Sequence, residues 1–247
     1  MNCLDPALQE YYDRRTVWVH KPHIRLVYQR WVQKMLPFLE AGSVKLEVGS
    51  GSGLMKELIP DMTLTDVVTL PWLDRRLDCM NMDLANESVD AVIATDVLHH
   101  APDPFRFLQE AARVLRPGGR VLLIEPYITC ASYLPYKLAH HEVVYFKGYH
   151  PDTERGDPWD GNLAMANIVF SRGSPRMCDR VPALRLIHYE RFGFFDLVCA
   201  AGFKRWALLP YRVFRWLVQI DDLLAPLMPL LAFRLFVVLE KPAPAEK

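Results

Sequence analysis

The apolar positions of this chain change period along its length. Through residues 5–40, Val17, Ile24, Val27, Trp31, Met35 and Phe38 recur at roughly helical intervals, which predicts an amphipathic helical segment. Pro22 is expected to break or start a helix there, and Pro37 to fall near an end. From residue 44, short apolar runs alternate with polar and glycine-rich connections. They predict strands over 44–48, 62–68 and 88–95, with a short strand ending near Asp78. A helix over 104–115, a turn over 116–119 and a fifth strand over 120–125 follow. Strands alternating with helices imply a parallel sheet covered on both faces. The rhythm fails over 126–190, a stretch rich in aromatics, histidine, proline and glycine, read here as an insertion over the mouth of the sheet. It resumes with helices over 192–201 and 213–231 and strands near 203–209 and over 234–239. One domain is therefore expected over 1–247: a helical cap (1–43), a sheet core (44–125), the insertion (126–190) and C-terminal helices and strands (191–247).

Charge narrows the partners. Lys+Arg and Asp+Glu number 29 each, so no net field draws the chain to nucleic acid or anionic membranes. Five scattered cysteines (Cys3, Cys79, Cys130, Cys178, Cys199) favour reduced thiols and a cytoplasmic location. The first residues carry acids and no apolar segment, unlike a secretory signal, and no apolar run reaches bilayer-spanning length. The stretch 211–239 is apolar enough to touch a membrane, with Arg212, Arg215 and Arg234 at its margins. Gln219, Asp221 and Asp222 favour instead packing on the sheet or a dimer face, so a monomer or homodimer is expected.

The most informative segment is Lys45 to Gly53, Lys-Leu-Glu-Val-Gly-Ser-Gly-Ser-Gly. Gly49, Gly51 and Gly53 let the backbone turn sharply and approach a bound molecule, and residues 54–59 read as the first turns of a helix. A dinucleotide turn reads Gly-x-Gly-x-x-Gly; here the third glycine comes one residue early, and Glu47 would repel a phosphate. A carboxylate at Glu47 suits an ammonium group instead. The pattern Glu-x-Gly-x-Gly-x-Gly resembles the first motif of class I S-adenosylmethionine-dependent methyltransferases. Asp66, Asp78-Cys79-Met80, the segment Asp96-Val97-Leu98-His99-His100 and the run Arg113 to Glu125 stand in register with it, so the resemblance covers roughly residues 44–126.

That resemblance implies an α/β, Rossmann-like doubly wound sheet, mostly parallel with an antiparallel C-terminal strand, under a helical N-terminal cap. It implies S-adenosylmethionine as cofactor and S-adenosylhomocysteine as product. Glu47, Gly49, Ser50, Gly51 and Gly53 would form the turn, Asp66 would meet the ribose, and Asp78, Cys79 and Met80 the adenine. Asp96 and Val97 would lead from the fourth strand into the cleft. Residues 67–77 are too short and too broken by Pro71 for a full helix, which leaves Asp74 as an alternative to the preferred Asp78.

A hydroxyl acceptor needs a base, and histidine serves near neutral pH. His140, His141 and His100 are the candidates, with Glu142 placed to orient an imidazole. Tyr11, Tyr12, His99, Tyr127 and Glu142 are expected to line the acceptor pocket. Aromatics of the cap and insertion (Trp18, Trp31, Tyr133, Tyr136, Tyr145, Phe146, Tyr149, Trp159) suit a bulky, partly apolar small molecule. No Asn-Pro-Pro-Tyr or Asp-Pro-Pro-Tyr segment follows the fourth strand, which disfavours amide and nucleobase nitrogens as acceptors. Asp96, His140 and Glu142 lack metal-ligand spacing, so no metal is expected. The expectation is O-methylation of a metabolite or natural product. The alternatives are N- or C-methylation of a small molecule or lipid, a cofactor-binding scaffold without activity, and a nicotinamide dehydrogenase.

Overall fold

The computed structural model describes residues 6–148, 160–171 and 176–244; Cys3, Tyr149, Trp159 and the side chain of Cys178 lie outside them. Strands β1 (Lys45–Val48), β2 (Met62–Asp66), β3 (Arg75–Arg76), β4 (Val89–Thr95), β5 (Leu115–Pro126), β6 (Arg185–Phe192) and β7 (Arg234–Glu240) form one sheet. Their order is β3-β2-β1-β4-β5-β7-β6. The first five are parallel; β7 runs antiparallel to β5 and to β6. This is the Rossmann-like sheet with an antiparallel C-terminal strand. Every residue of β1 is buried, and β4 and β7 are nearly so, as strands covered on both faces must be.

The helices are α1 (Pro6–His20), α2 (Pro22–Met35), α3 (Pro104–Val114), α4 (Cys130–Ala139), α5 (Met165–Phe170), α6 (Arg176–Arg180), α7 (Asp196–Ala200), α8 (Tyr211–Ile220) and α9 (Met228–Leu231). One face of the sheet (Ile93, Leu122, Ile124, Phe236) packs against Ile24, Val27, Trp31 and Met35 of α2 and Phe214 and Val218 of α8. The other (Val92, Val121, Leu123, Val237) packs against Phe105, Leu108 and Ala111 of α3 and Met165 and Val169 of α5. The helix α3 starts where the sequence dictates. Asp103 accepts from the Phe105 and Arg106 N–H groups at 3.0 Å, and Pro104 occupies the first turn, where no N–H is needed. Pro22 likewise opens α2. At the corner between α1 and α2, the Lys21 ammonium points at the carbonyls of Ala200, Gly202, Lys204 and Trp206 and ties the cap to the end of α7.

Four expectations need correction. Residues 54–59 form a single 3-10 turn, Leu54–Glu57, because only residues 49–61 separate β1 from β2 and Pro60 intervenes. Residues 185–190 belong to an edge strand, β6, and not to the insertion. The stretch 203–209 is irregular, its carbonyls turned towards Lys21 instead of a neighbouring strand. Residues 116–119 continue β5, held to the end of β7 by the Gly118 N–H to the Lys241 carbonyl (2.7 Å). Among the described residues, no helix is long and apolar enough to cross a membrane.

Candidate active site

The C-terminal ends of β1, β2 and β4 open on a cavity of about 430 Å³. The glycine turn forms its floor. Gly49 sits at φ +61°, and a Cβ there would stand 2.5 Å from Val97 Cγ2, so only glycine lets the turn pass under the β4 exit. The turn is held from both sides. Asp66 Oδ2 accepts from the Gly51 N–H (2.8 Å), and Trp72 Nε1 donates to the Gly51 carbonyl (2.8 Å). Arg15 of α1 donates to the Ser52 carbonyl at 2.7 Å, and Ser52 Oγ to the Tyr11 carbonyl at 3.0 Å. The helical cap therefore docks directly on the turn and brings Tyr11 and Arg14 to the cavity wall.

Glu47 is the unusual member of the floor. It is 3 % exposed, and its Oε2 has no hydrogen-bond partner. Burial, with the neighbouring Asp66 adding to it, pushes its carboxyl up to about 8. Thr95 Oγ1, Arg234 Nε and Glu142 Oε2 are also buried without partners, and all four residues line this cavity. Unpaired buried polar atoms converging on one cavity are the signature of a polar ligand site. An ammonium beside Glu47 would satisfy the carboxylate, which fits the amino-acid end of S-adenosylmethionine. The other cofactor candidates Gly49, Ser50, Gly51, Asp66, Asp78, Cys79, Met80, Asp96 and Val97 line the same cavity. Asp78 accepts from the Met80 N–H at 2.8 Å; Asp74 is absent from the wall, occupied by Lys56 and the Leu64 N–H. The Cys79 thiol is pushed up to about 12 by burial and Asp78, which leaves it inert.

The far wall is a histidine–carboxylate cluster assembled from three places in the chain. Glu125, at the end of β5, accepts from the Val97 and Leu98 N–H groups (2.9 and 2.7 Å) and from His99 Nδ1 (2.6 Å). Glu142, from the insertion, lies between His99 Nε2 (3.2 Å), His141 Nε2 (3.6 Å), His100 Nε2 (3.7 Å) and His140 Nδ1 (3.8 Å). Asn162 holds the insertion in place: its side chain accepts from the Tyr145 and Ala164 N–H groups and donates to the Tyr145 and Gly148 carbonyls. Burial works against a charge on His99, yet Glu125 and Glu142 overcome it and raise His99 to about 10. Burial and His99 lower His100 to about 4, so it is neutral. Glu142 resists burial and is held near 2 by His99 and its other histidine neighbours. Burial lowers His140 as well.

Three expected residues lie elsewhere. Gly53 backs the turn, closing on Trp72 and Leu64, and does not reach the cavity. Tyr12 turns its ring to Trp72, one helical step away from the cavity that Tyr11 lines. Tyr127 is buried in the core, its hydroxyl accepting from Tyr189 at 3.0 Å. Tyr11 and Tyr136, both named from the sequence, do reach the wall, whereas Arg14, Tyr28, Phe203 and Arg234 on it were missed. Arg234 pairs with Asp96, which itself sits at φ +58°, and lies over the Trp31 ring. An arginine opening an otherwise apolar strand was the available signal.

A family model for the methyltransferase domain matches residues 46–123. Among curated relatives, 27-O-demethylrifamycin SV methyltransferase of Amycolatopsis mediterranei is 48% identical over 46 residues, covering 19% of this chain and 17% of its own. Ubiquinone biosynthesis O-methyltransferase of Xanthomonas oryzae pv. oryzae is 33% identical over 103 residues, covering 34% of this chain and 43% of its own. The chain thus spans less than half the length of either relative. A solved SAM-dependent methyltransferase from Archaeoglobus fulgidus superposes with a TM-score of 0.54 at 14% identity, over 88% of this chain and 94% of that one, a likeness of fold. The family match runs from β1 into β5, the strands that carry the glycine turn and lead to the histidine cluster, so residues 46–123 resemble a methyltransferase domain.

Proposed function

We propose that this chain transfers a methyl group from S-adenosylmethionine to a hydroxyl of a partly apolar small molecule. The observation that carries the cofactor half is Glu47, a buried carboxylate oxygen without a partner in the glycine cradle. When bound, the cofactor supplies an electrophilic methyl on a sulfonium, so the protein's task is alignment and proton removal. Glu47 receives the cofactor ammonium, and Asp66 keeps carboxylate lone pairs for ribose hydroxyls beyond its bond to Gly51. Asp78, with the Cys79 and Met80 backbone, faces the adenine side of the cavity.

The acceptor half rests on the histidine wall. His140 lines the cavity, its pKa is lowered by burial, and Glu142 lies 3.8 Å from its Nδ1. We assign it the acceptor's proton: the hydroxyl O–H breaks towards the imidazole as the oxygen takes the methyl and the thioether leaves. Tyr11, Tyr28, Tyr136 and Phe203 give this space an aromatic, partly apolar lining. The relatives named for O-methylation of small molecules support an oxygen acceptor. The test is transfer of labelled methyl from S-adenosylmethionine to panels of phenols, alcohols and amines. Labelled hydroxyl products, reduced on the order of 10²-fold or more in His140→Ala, are expected. Labelling of amines alone would overturn the oxygen reading.

A further inference from the structure

We propose that His99, His100 and Glu142 form a binding site for a divalent transition-metal ion on the wall of the cavity. The argument begins with hydrogen positions. His100 Nδ1 lies 3.1 Å from the Asp160 carbonyl, which can only accept, so in the neutral ring Nδ1 carries the hydrogen and Nε2 is a bare lone pair. That lone pair faces Glu142 Oε1 at 3.7 Å. Nitrogen and carboxylate oxygen thus face each other across a gap of the width that a shared cation spans.

His99 turns a second ring nitrogen to the same carboxylate. Its Nδ1 is engaged by Glu125 at 2.6 Å, which fixes the ring and directs Nε2 at Glu142 Oε2, 3.2 Å away. Glu142 Oε2 is nonetheless buried without a hydrogen-bond partner; the separation is short, but the direction is not that of an N–H···O bond. A carboxylate behind a ligating imidazole is the usual outer partner in histidine metal sites. Glu125 is itself held by the Val97 and Leu98 N–H groups.

The spacing also fits. Nitrogen and oxygen ligands 2.0–2.2 Å from an ion, at tetrahedral or octahedral angles, stand roughly 3–4.3 Å apart. The two histidine–carboxylate separations of 3.2 and 3.7 Å fall in that range, and all three ligand atoms lie within 4.8 Å of one another. Gly161 backs the set: a Cβ there would stand 2.9 Å from His99, 3.1 Å from His100 and 3.2 Å from Glu142, so the three side chains crowd a position that only glycine leaves open to them. Two imidazoles and one carboxylate suit Zn²⁺, Co²⁺, Mn²⁺ or Fe²⁺, and disfavour the all-oxygen preferences of Mg²⁺ and Ca²⁺. No spacing in the sequence announces this set, because Glu142 comes from the insertion and the histidines from the end of β4.

Metal binding is independent of the methyl-transfer reading and is tested without cofactor or acceptor. Tag-free, chelator-stripped full-length protein is titrated with Zn²⁺ against a chromophoric chelator, and with Co²⁺ by visible absorption. Expected are one Zn²⁺ or Co²⁺ per chain, a Co²⁺ d–d band, and no competition from millimolar Mg²⁺. His100→Ala and Glu142→Gln should each weaken binding about 10- to 100-fold, whereas His188→Ala, on β6, should not. Should Glu142→Gln fail to fold, the partly exposed His100 position carries the test. Substoichiometric binding, or binding that survives in His100→Ala or is lost in His188→Ala, would overturn the proposal.

Discussion

Replacing Glu47 by Gln should move stability and cofactor affinity in opposite directions. The folded-state pKa of Glu47 is raised from 4.5 to about 8, so the ligand-free protein favours the neutral acid. For a carboxylate raised on folding, a destabilising contribution appears as pH climbs above the unfolded value and grows until the folded one. Between 4.5 and 7 this amounts to about 3 kcal/mol at ~1.4 kcal/mol per pH unit. Gln never ionises, so the ligand-free variant should gain up to about 3 kcal/mol at pH 7 and nothing near pH 4. For a chain of this length that is a rise in Tm of roughly 6–10 °C. Binding reverses the sign. The cofactor ammonium stabilises ionised Glu47, and its loss should cost about 2–3 kcal/mol, a ~30- to 150-fold weaker affinity. In the wild type, binding should release a proton between pH 6 and about 7.5, where the cofactor's amino group (pKa roughly 8) is still charged. Affinity should therefore rise with pH there and stay flat in the variant. Thermal melts at pH 4 and 7, with calorimetry in buffers of different ionisation heat, read all of this. Destabilisation of the ligand-free variant at pH 7, or affinity within threefold of wild type, would refute the reasoning.

Other perturbations follow from the packing. Gly49→Ala must place a Cβ against Val97 at a positive φ, so it should cost about 1–3 kcal/mol in denaturant unfolding and abolish cofactor binding, with partial recovery in the Gly49→Ala/Val97→Ala pair. Asn162→Ala removes four backbone partners and should cost roughly 2–4 kcal/mol; hydrogen exchange should speed up at the Tyr145 and Ala164 amides. Lys21→Met leaves the carbonyls at the end of α7 without their cation and should cost about 2–4 kcal/mol, read by denaturant unfolding.

The parallel half of the sheet was legible because its signals are local. The alternation at β1, the apolar run Ala91–Ala94 in β4 and the glycines between β1 and β2 each announce themselves within a few residues. Edge strand β6 was not legible: its residues are mostly half-exposed, so Arg185–Phe192 mixes charge and aromatics as a loop does. The 203–209 stretch has strand-like composition, but four carbonyls around it serve the Lys21 ammonium, a demand set 180 residues away. Tyr11 and Tyr12 are equivalent by composition, and only the docking of α1 on Ser52 decides which ring meets the cavity. The histidines were visible as two separate pairs. That they share one carboxylate depends on Asn162 folding the insertion back over β4, which no spacing encodes.

The most direct test of the central claim is calorimetric titration of the wild-type chain with S-adenosylmethionine and S-adenosylhomocysteine, with NAD as comparison. Saturable one-to-one binding of both sulfur nucleotides and none of NAD is predicted. Binding of NAD in their place, or of neither sulfur nucleotide, would contradict a methyltransferase site built on Glu47 and the glycine turn.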